Sequence, residues 1–260
     1  MNNFKGGLNK DQIILIAAFL LITAGYSSTI LPEEKIQKLT NEDGLYENIG
    51  AGFFLMTSVV FFMGFLKSVS GSHFLFHRAK KNYSLFILAA MFLVIFGEEI
   101  SWGQRIFGYR SGNFFISNNM QLETNIHNLK IFHALDERHS KKEWWQYLSL
   151  NRLFRLFWII WCVVIPVLEK VKPRVQDIRQ QAGIPAVPVM FGFLFLINYS
   201  ILKILENNLS SMTEVVEIEE CITAVLFFLL ACQLVWLERN NDLIDAAKAH
   251  PANLSENSYK

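Results

Sequence analysis

The chain has 260 residues, 52% of them apolar and 14% aromatic, with 23 phenylalanines. A soluble chain averages about 45–50% apolar residues, and here the apolar residues are gathered into blocks of roughly 17–22, the length that crosses a bilayer core about 30 Å thick. A formal net charge of +1 implies no nucleic-acid partner, and Cys162, Cys221 and Cys232 each lie inside an apolar block, which reads as small buried hydrophobes, not a disulfide set or a metal knuckle.

The expected fold class is all-α: a polytopic membrane protein of about six transmembrane helices, with a long structured outer loop between helices three and four. Span one covers about 13–31 and is stopped by Pro32. Lys5 and Lys10 precede it, but no small-residue cleavage site follows, so an uncleaved span is expected instead of a signal peptide. Thr40, Asn41, Glu42 and Asp43 start the next helix, with polar caps and then acids that the helix dipole favours. Span two is 45–66, where Gly50 and Gly52 would let another helix approach closely. The link 67–82 is basic. Span three is 83–97, and its helix is expected to continue to Gly108.

The loop 98–152 is too long to lack structure of its own. Within it, Phe114 to Ile116 meet the membrane interface, 123–132 forms a short helix, and Trp144 and Trp145 sit in an aromatic belt. Spans four, five and six follow at 153–168, 185–205 and 215–237. The spans and their loop make one domain, 1–237, and 238–260 is a polar tail. Lys67, Arg78, Lys80, Lys81, Lys170, Lys172, Arg174 and Arg179 fall in alternate links that hold only Glu169 and Asp177 as acids. The positive-inside rule then puts both termini in the cytoplasm.

That topology carries polar residues from distant segments to one outer face: Asp43 and Glu47, Glu98 and Glu99, Glu123 and His127, and Glu214, Glu217 and Glu220. On continuous helices, Glu98, Trp102 and Arg105 share one face, Glu123 and His127 another, and the last three glutamates form a stripe. So many carboxylates need a cation, protons or arginines among them. A divalent metal (Zn, Mn or Fe) held by Glu98, Glu99, Glu123 and His127 satisfies the charge. Its bound water would attack an ester or phosphoester of a lipid or lipid-linked substrate, with Glu99, Arg105 and Glu217 as catalytic groups and Glu47, Trp102 and Glu220 in support. The bland readings are that the acids at helix starts complement dipoles, that Glu98 or Glu99 pairs with Arg105, that His73 and His77 meet anionic headgroups, and that His133 and His139 are solvated. A non-enzymatic subunit or cation sensor, as a homo-oligomer or in a larger complex, is the competing function. A cation or proton transport component, using Asn198 and Lys203, is the third.

The run from Gly97 to Gly108, followed by Glu-Thr-Asn-Ile-His-Asn at 123–128, resembles a group of uncharacterised bacterial polytopic membrane proteins. In that group a Glu-Glu-x-x-Trp-Gly-Gln-Arg run precedes a Glu-x-Asn-x-His-Asn element, and the Glu-Asp-Gly-x-x-Glu run at 42–47 looks like part of the same pattern. The resemblance covers roughly 40–130. It implies a bacterial inner membrane and adds Gln104, Asn125 and Asn128 to the residues that act together, without implying an activity.

Overall fold

The computed structural model describes residues 10–41, 44–68, 81–132, 149–208 and 212–249. Among these the regular structure is helical, with a single isolated bridge between Asn119 and Leu129. In chain order the helices are α1 (Lys10–Ser27), α2 (Glu33–Thr40), α3 (Leu45–Lys67), α4 (Tyr83–Glu99), α5 (Gln104–Phe107), α6 (Asn113–Asn118), α7 (Leu150–Trp158), α8 (Ile165–Val171), α9 (Pro173–Gln181), α10 (Val189–Asn208) and α11 (Met212–Ala249). Asp43, His73, His77, His133, His139, Trp144 and Trp145 lie outside the described residues, as does the side chain of Arg105.

Three stretches are long and apolar enough to cross a membrane: Asp11–Ile30, Glu33–Lys67 and Val189–Glu206. They coincide with the spans expected at 13–31, 45–66 and 185–205. Their outward surfaces are apolar, with Phe19, Leu20, Phe193 and Ile204 all exposed. In water such surface is unfavourable at about 25 cal/mol per Å², whereas in lipid it costs nothing, so these three helices suit a membrane. The other three expected spans also fall on helix, but each departs from a simple crossing. α4 has 17 residues and so reaches only about 25 Å. The stretch at 153–168 is broken by a π turn, Ile159–Val164, between α7 and α8. α11 spends its apolar surface on its neighbours.

α11 is the centre of the bundle. Ala224, Val225, Leu226 and Phe227 are consecutive and all buried. Four consecutive residues go once round a helix, so this stretch is enclosed on every side. α3 packs along α11, α4 packs along α3, and α1, α2 and α10 complete the ring. The Phe227 ring lies 4.6 Å from Phe195, 4.9 Å from Phe92 and 5.5 Å from Phe154, between centroids, and so joins three helices through offset and tilted aromatic contacts.

Small residues set the closest approaches. A side chain on Gly50 would meet the Cys221 backbone at 3.4 Å, as its expected packing role requires, whereas Gly52 faces open space. The tightest crossing is one that the sequence did not announce. A Cβ on Gly192 would stand 2.5 Å from the Cys162 carbonyl oxygen. Proline at 166 has no N–H to offer that carbonyl four residues earlier, and the Ile165 amide instead bonds to Ile160, in π register. The displaced carbonyl therefore stands out from the π turn toward α10, where only glycine leaves room.

Candidate functional site

α4 ends at Glu99, and the helix does not continue to Gly108 as expected. Ser101 (φ 48°), Trp102 (φ 54°) and Gly103 (φ 82°) turn left-handed in succession. Each non-glycine residue held there costs about 1–3 kcal/mol, so the surroundings must hold them. The Trp102 indole lies against Gly97, where a Cβ would come within 3.0 Å of the ring. Its Nε1 donates to Glu98 Oε1 at 2.8 Å. The Tyr109 hydroxyl donates to the carbonyl oxygens of Ser101 and Trp102, at 3.3 and 3.2 Å.

Beyond the turn, residues 104–132 form a small lobe with a polar interior. No helix spans 123–132; the segment is a series of turns ending in a 3-10 turn at Lys130–Phe132. Glu123 and His127 therefore do not share a helical face. Asn119 and Asn125 are fully buried instead. Asn119 Nδ2 donates to Asn125 Oδ1 at 2.7 Å, and Asn119 Oδ1 accepts from the Gln121 amide at 2.8 Å. Gln104 Oε1 accepts from Ser111 Oγ at 2.8 Å and from the Thr124 amide at 2.7 Å, which ties α5 to the far side of the lobe. Asn128 donates to Gln121. Ser101 Oγ donates to Glu123 and accepts from Asn125 Nδ2 at 2.9 Å.

Glu98 fastens this lobe to the bundle. Its Oε2 accepts from the Ile126 and His127 amides, at 2.6 and 3.0 Å, and lies 3.4 Å from His127 Nδ1. Burial pushes the Glu98 carboxyl up, but the donors from His127, Trp102 and the two amides outweigh it and hold the group below its ordinary range. Burial pushes His127 down, and the hydrogen bond to Glu98 together with the charges of Glu99, Glu98 and Glu123 turns the balance, raising it above its ordinary value. The two groups thus favour each other's charged form.

His127 also lines a cavity of about 460 Å³ beside α4, α7 and α11. One side of it is apolar, with Phe54, Met91, Val94 and Ile95 facing Leu153 and Phe154. At the polar end stand Glu98, Glu99 and His127, with Arg155 from α7 and Glu219 and Glu220 from α11. The Arg155 guanidinium lies 4.9 Å from the centre of the Tyr199 ring. Glu219 accepts from Thr223 Oγ1 at 2.9 Å, and Thr223 in turn accepts from Asn198 Nδ2 at 3.0 Å. Tyr26 closes this buried network by donating to Asn198 Oδ1 at 2.9 Å. A smaller recess shares Phe54, Glu99 and Glu220 with the cavity and adds Glu47 and Glu217.

The fold thus gathers Glu47, Glu98, Glu99, His127, Glu217 and Glu220 from four segments of the chain. It keeps Glu123, Gln104, Asn125 and Asn128 inside the lobe. Among the described residues, no group of three or more His, Cys, Asp or Glu side chains is arranged to hold a metal ion. Glu98 and Glu123, two of the four expected ligands, give oxygens to protein donors. Arg155 and Glu219 were absent from the sequence reading, although a charge within an apolar block signals a site by its cost alone. Ser101 and Asn119 had no such signal, because short polar residues in a loop are ordinary. Comparison with known proteins finds no matching family model, no matching curated protein and no matching solved structure.

Proposed function

We propose that this chain is a six-span protein of a bacterial inner membrane, both termini cytoplasmic, that binds a lipid or lipid-linked substrate in the cavity between α4 and α7 and acts on its head group. The observation that carries this reading is the cavity's division into an apolar wall and a charged end. Ligand sites of about 300–1,000 Å³ with apolar walls and a few convergent polar groups are the usual form of a small-molecule pocket. Glu99 and Glu220 are the groups for proton transfer, and Arg155 is the group for an oxyanion. A divalent metal on the same carboxylates is the metal-dependent version of the same chemistry. Asn198 and Lys203 do not line the cavity, so a transport path through them gains nothing.

The test is lipid extraction and elemental analysis of the purified protein, wild type beside Glu99→Gln and a cavity-filling Val94→Trp. Copurifying lipid that Val94→Trp expels supports the reading. Lipid content that is the same in both removes it. Near-stoichiometric zinc, manganese or iron, lost in Glu99→Gln, selects the metal-dependent version.

A subunit role in an envelope complex is the second reading. It is favoured by the apolar surface of the lobe, where Ile106, Phe107, Phe114 and Ile131 are strongly exposed. Partners that copurify in fixed ratio, with no lipid in the cavity, would favour it over the first.

A further inference from the structure

Independently of what the cavity binds, we infer that the lobe at 104–132 lies in the boundary between head groups and acyl chains of a lipid leaflet, with Ile106, Phe107 and Phe114 inserted among the chains. The inference rests on α3 crossing a membrane, for which the stretch Glu33–Lys67 is long and apolar enough.

The lobe is built inside out. Ser111, Asn119 and Asn125 are buried, whereas Ile106 is 68% exposed, Phe107 78% and Phe114 61%. Leu122 and Ile131 are exposed as well. A module folded for water does the reverse, because apolar surface is the part that water expels. Lipid demands the order seen here, with every polar group finding its partner inside the protein. Among the described residues, no buried side-chain nitrogen or oxygen of the lobe lacks a partner. The partly exposed rings of Trp102 and Tyr109 keep their N–H and hydroxyl on protein acceptors, which suits aromatic rings at a membrane surface.

The position of the lobe selects lipid as its cover. The charged residues of α3 are Glu47 and Lys67, separated by about 30 Å of helix, the thickness of a bilayer core. α4 lies beside α3 over that distance. The Phe65 and Tyr83 rings are 5.4 Å apart, Ser58 Oγ donates to the Ala89 carbonyl at 2.7 Å, and Glu47 and Glu99 line one recess. The end of α4 is therefore level with the edge of the core, and the lobe begins there. Val59 and Phe62 on α3 and Leu93 on α4 are exposed apolar residues, and Trp102, Ile106 and Phe107 continue the series along the chain. The charge agrees. Residues 100–132 include Arg105, Arg110 and Lys130 against one acid, Glu123, whose carboxylate already accepts from Ser101 and Asn125. Basic residues beside inserted apolar ones complement anionic head groups. A protein partner covering the same side chains, as in the subunit reading, would have to reach them at that depth.

The experiment uses the full chain, with Cys162, Cys221 and Cys232 replaced, in vesicles of phosphatidylethanolamine and phosphatidylglycerol. Spin labels are attached one at a time through Ile106→Cys, Phe107→Cys, Val59→Cys and Ser117→Cys. Collisions with oxygen, which concentrates in lipid, and with a water-soluble nickel chelate give the depth of each label. Val59 marks the core of the span, and Ser117, polar and exposed on α6, marks the aqueous side. The labels at 106 and 107 are expected about 5–10 Å below the phosphates, with the label at 117 above them.

Labels at 106 and 107 that meet the nickel chelate as freely as the label at 117 overturn the inference. Labels shielded from both reagents overturn it too, and assign the surface to a protein partner. A label at 117 as deep as the one at 59 overturns the boundary position. In each of these cases a lipid-embedded label at 59 leaves the membrane crossing of α3 standing. A label at 59 that is open to the chelate removes that crossing, and the inference with it.

Discussion

Glu98 accepts from a tryptophan on one side and from two backbone amides on the other, so its charge and its shape both matter. Glu98→Gln keeps the volume but turns one oxygen into a donor facing other donors, and it should cost about 1–3 kcal/mol. Trp102→Phe removes one donor and keeps most of the ring over Gly97, so thermal unfolding should show a smaller loss. Equal losses would mean that the indole packs but does not bond. The same pair gives a pH signature. The folded-state value of Glu98 lies below its ordinary 4.5, so its contribution is present above that pH and is lost as pH falls through the lowered value. The folded-state value of His127 lies above its ordinary 6.5, so its contribution is full below that pH and is lost as pH rises through the raised value. The lobe should be held best between about pH 4.5 and 6.5. Amide exchange at Ile126 and His127, corrected for intrinsic rates, should show greatest protection in that window. Protection that rises steadily above it would contradict the assignment. The motif residues were legible because Glu, Trp, Gln and Arg are expensive after an apolar block. Their geometry was not, because two left-handed non-glycine residues leave no mark in the sequence.

At the scale of elements, the decisive contacts are backbone ones. Gly192→Ala must displace α10 from the Cys162 carbonyl, and should cost about 1–3 kcal/mol as overpacking. Gly52→Ala meets nothing within 4 Å and should be neutral, or stabilising by up to about 1 kcal/mol through helix propensity. Thermal unfolding of the two variants side by side checks this, and similar losses at both sites would remove the account. Gly50 could be read ahead of time because a glycine pair inside an apolar block suggests a close helix crossing. Gly192 could not, because its neighbour exists only through the π turn, and that turn depends on Pro166 shifting the hydrogen-bond register of a different helix.

For the whole molecule, helix content and membrane character were readable from the apolar blocks alone. The convergence of Glu47, Glu99, Glu217 and Glu220 was readable in outline, since it follows from helix order once three helix ends share a side. The cavity was not, because residues of α3, α4, α7, α11 and the lobe line it together, and no pattern within any one helix encodes a space between several. The six-span arrangement has a direct check. Six spans place Ser117 and Arg174 on opposite sides of the membrane. A chain crossing only at Asp11–Ile30, Glu33–Lys67 and Val189–Glu206 places them on the same side. Ser117→Cys, made in a background lacking Cys162, Cys221 and Cys232, should react with an impermeant thiol reagent in intact cells, and Arg174→Cys only after permeabilisation. Matching reactivity would exclude six spans.

The attachment of the lobe through Glu98 also fixes an order of assembly. Its amide donors lie 28 and 29 residues further along the chain, so α4 is synthesised well before the groups that satisfy its terminal carboxylate. A nascent chain ending near residue 120 therefore holds a short apolar helix whose Glu98 has only the Trp102 donor, and emergence of Ile126 and His127 completes the set. On the six-span proposal, insertion of α4 would then be coupled to folding of the lobe. Chains truncated before Ile126 should leave α4 poorly retained in the bilayer, and chains extended past Phe132 should hold it firmly.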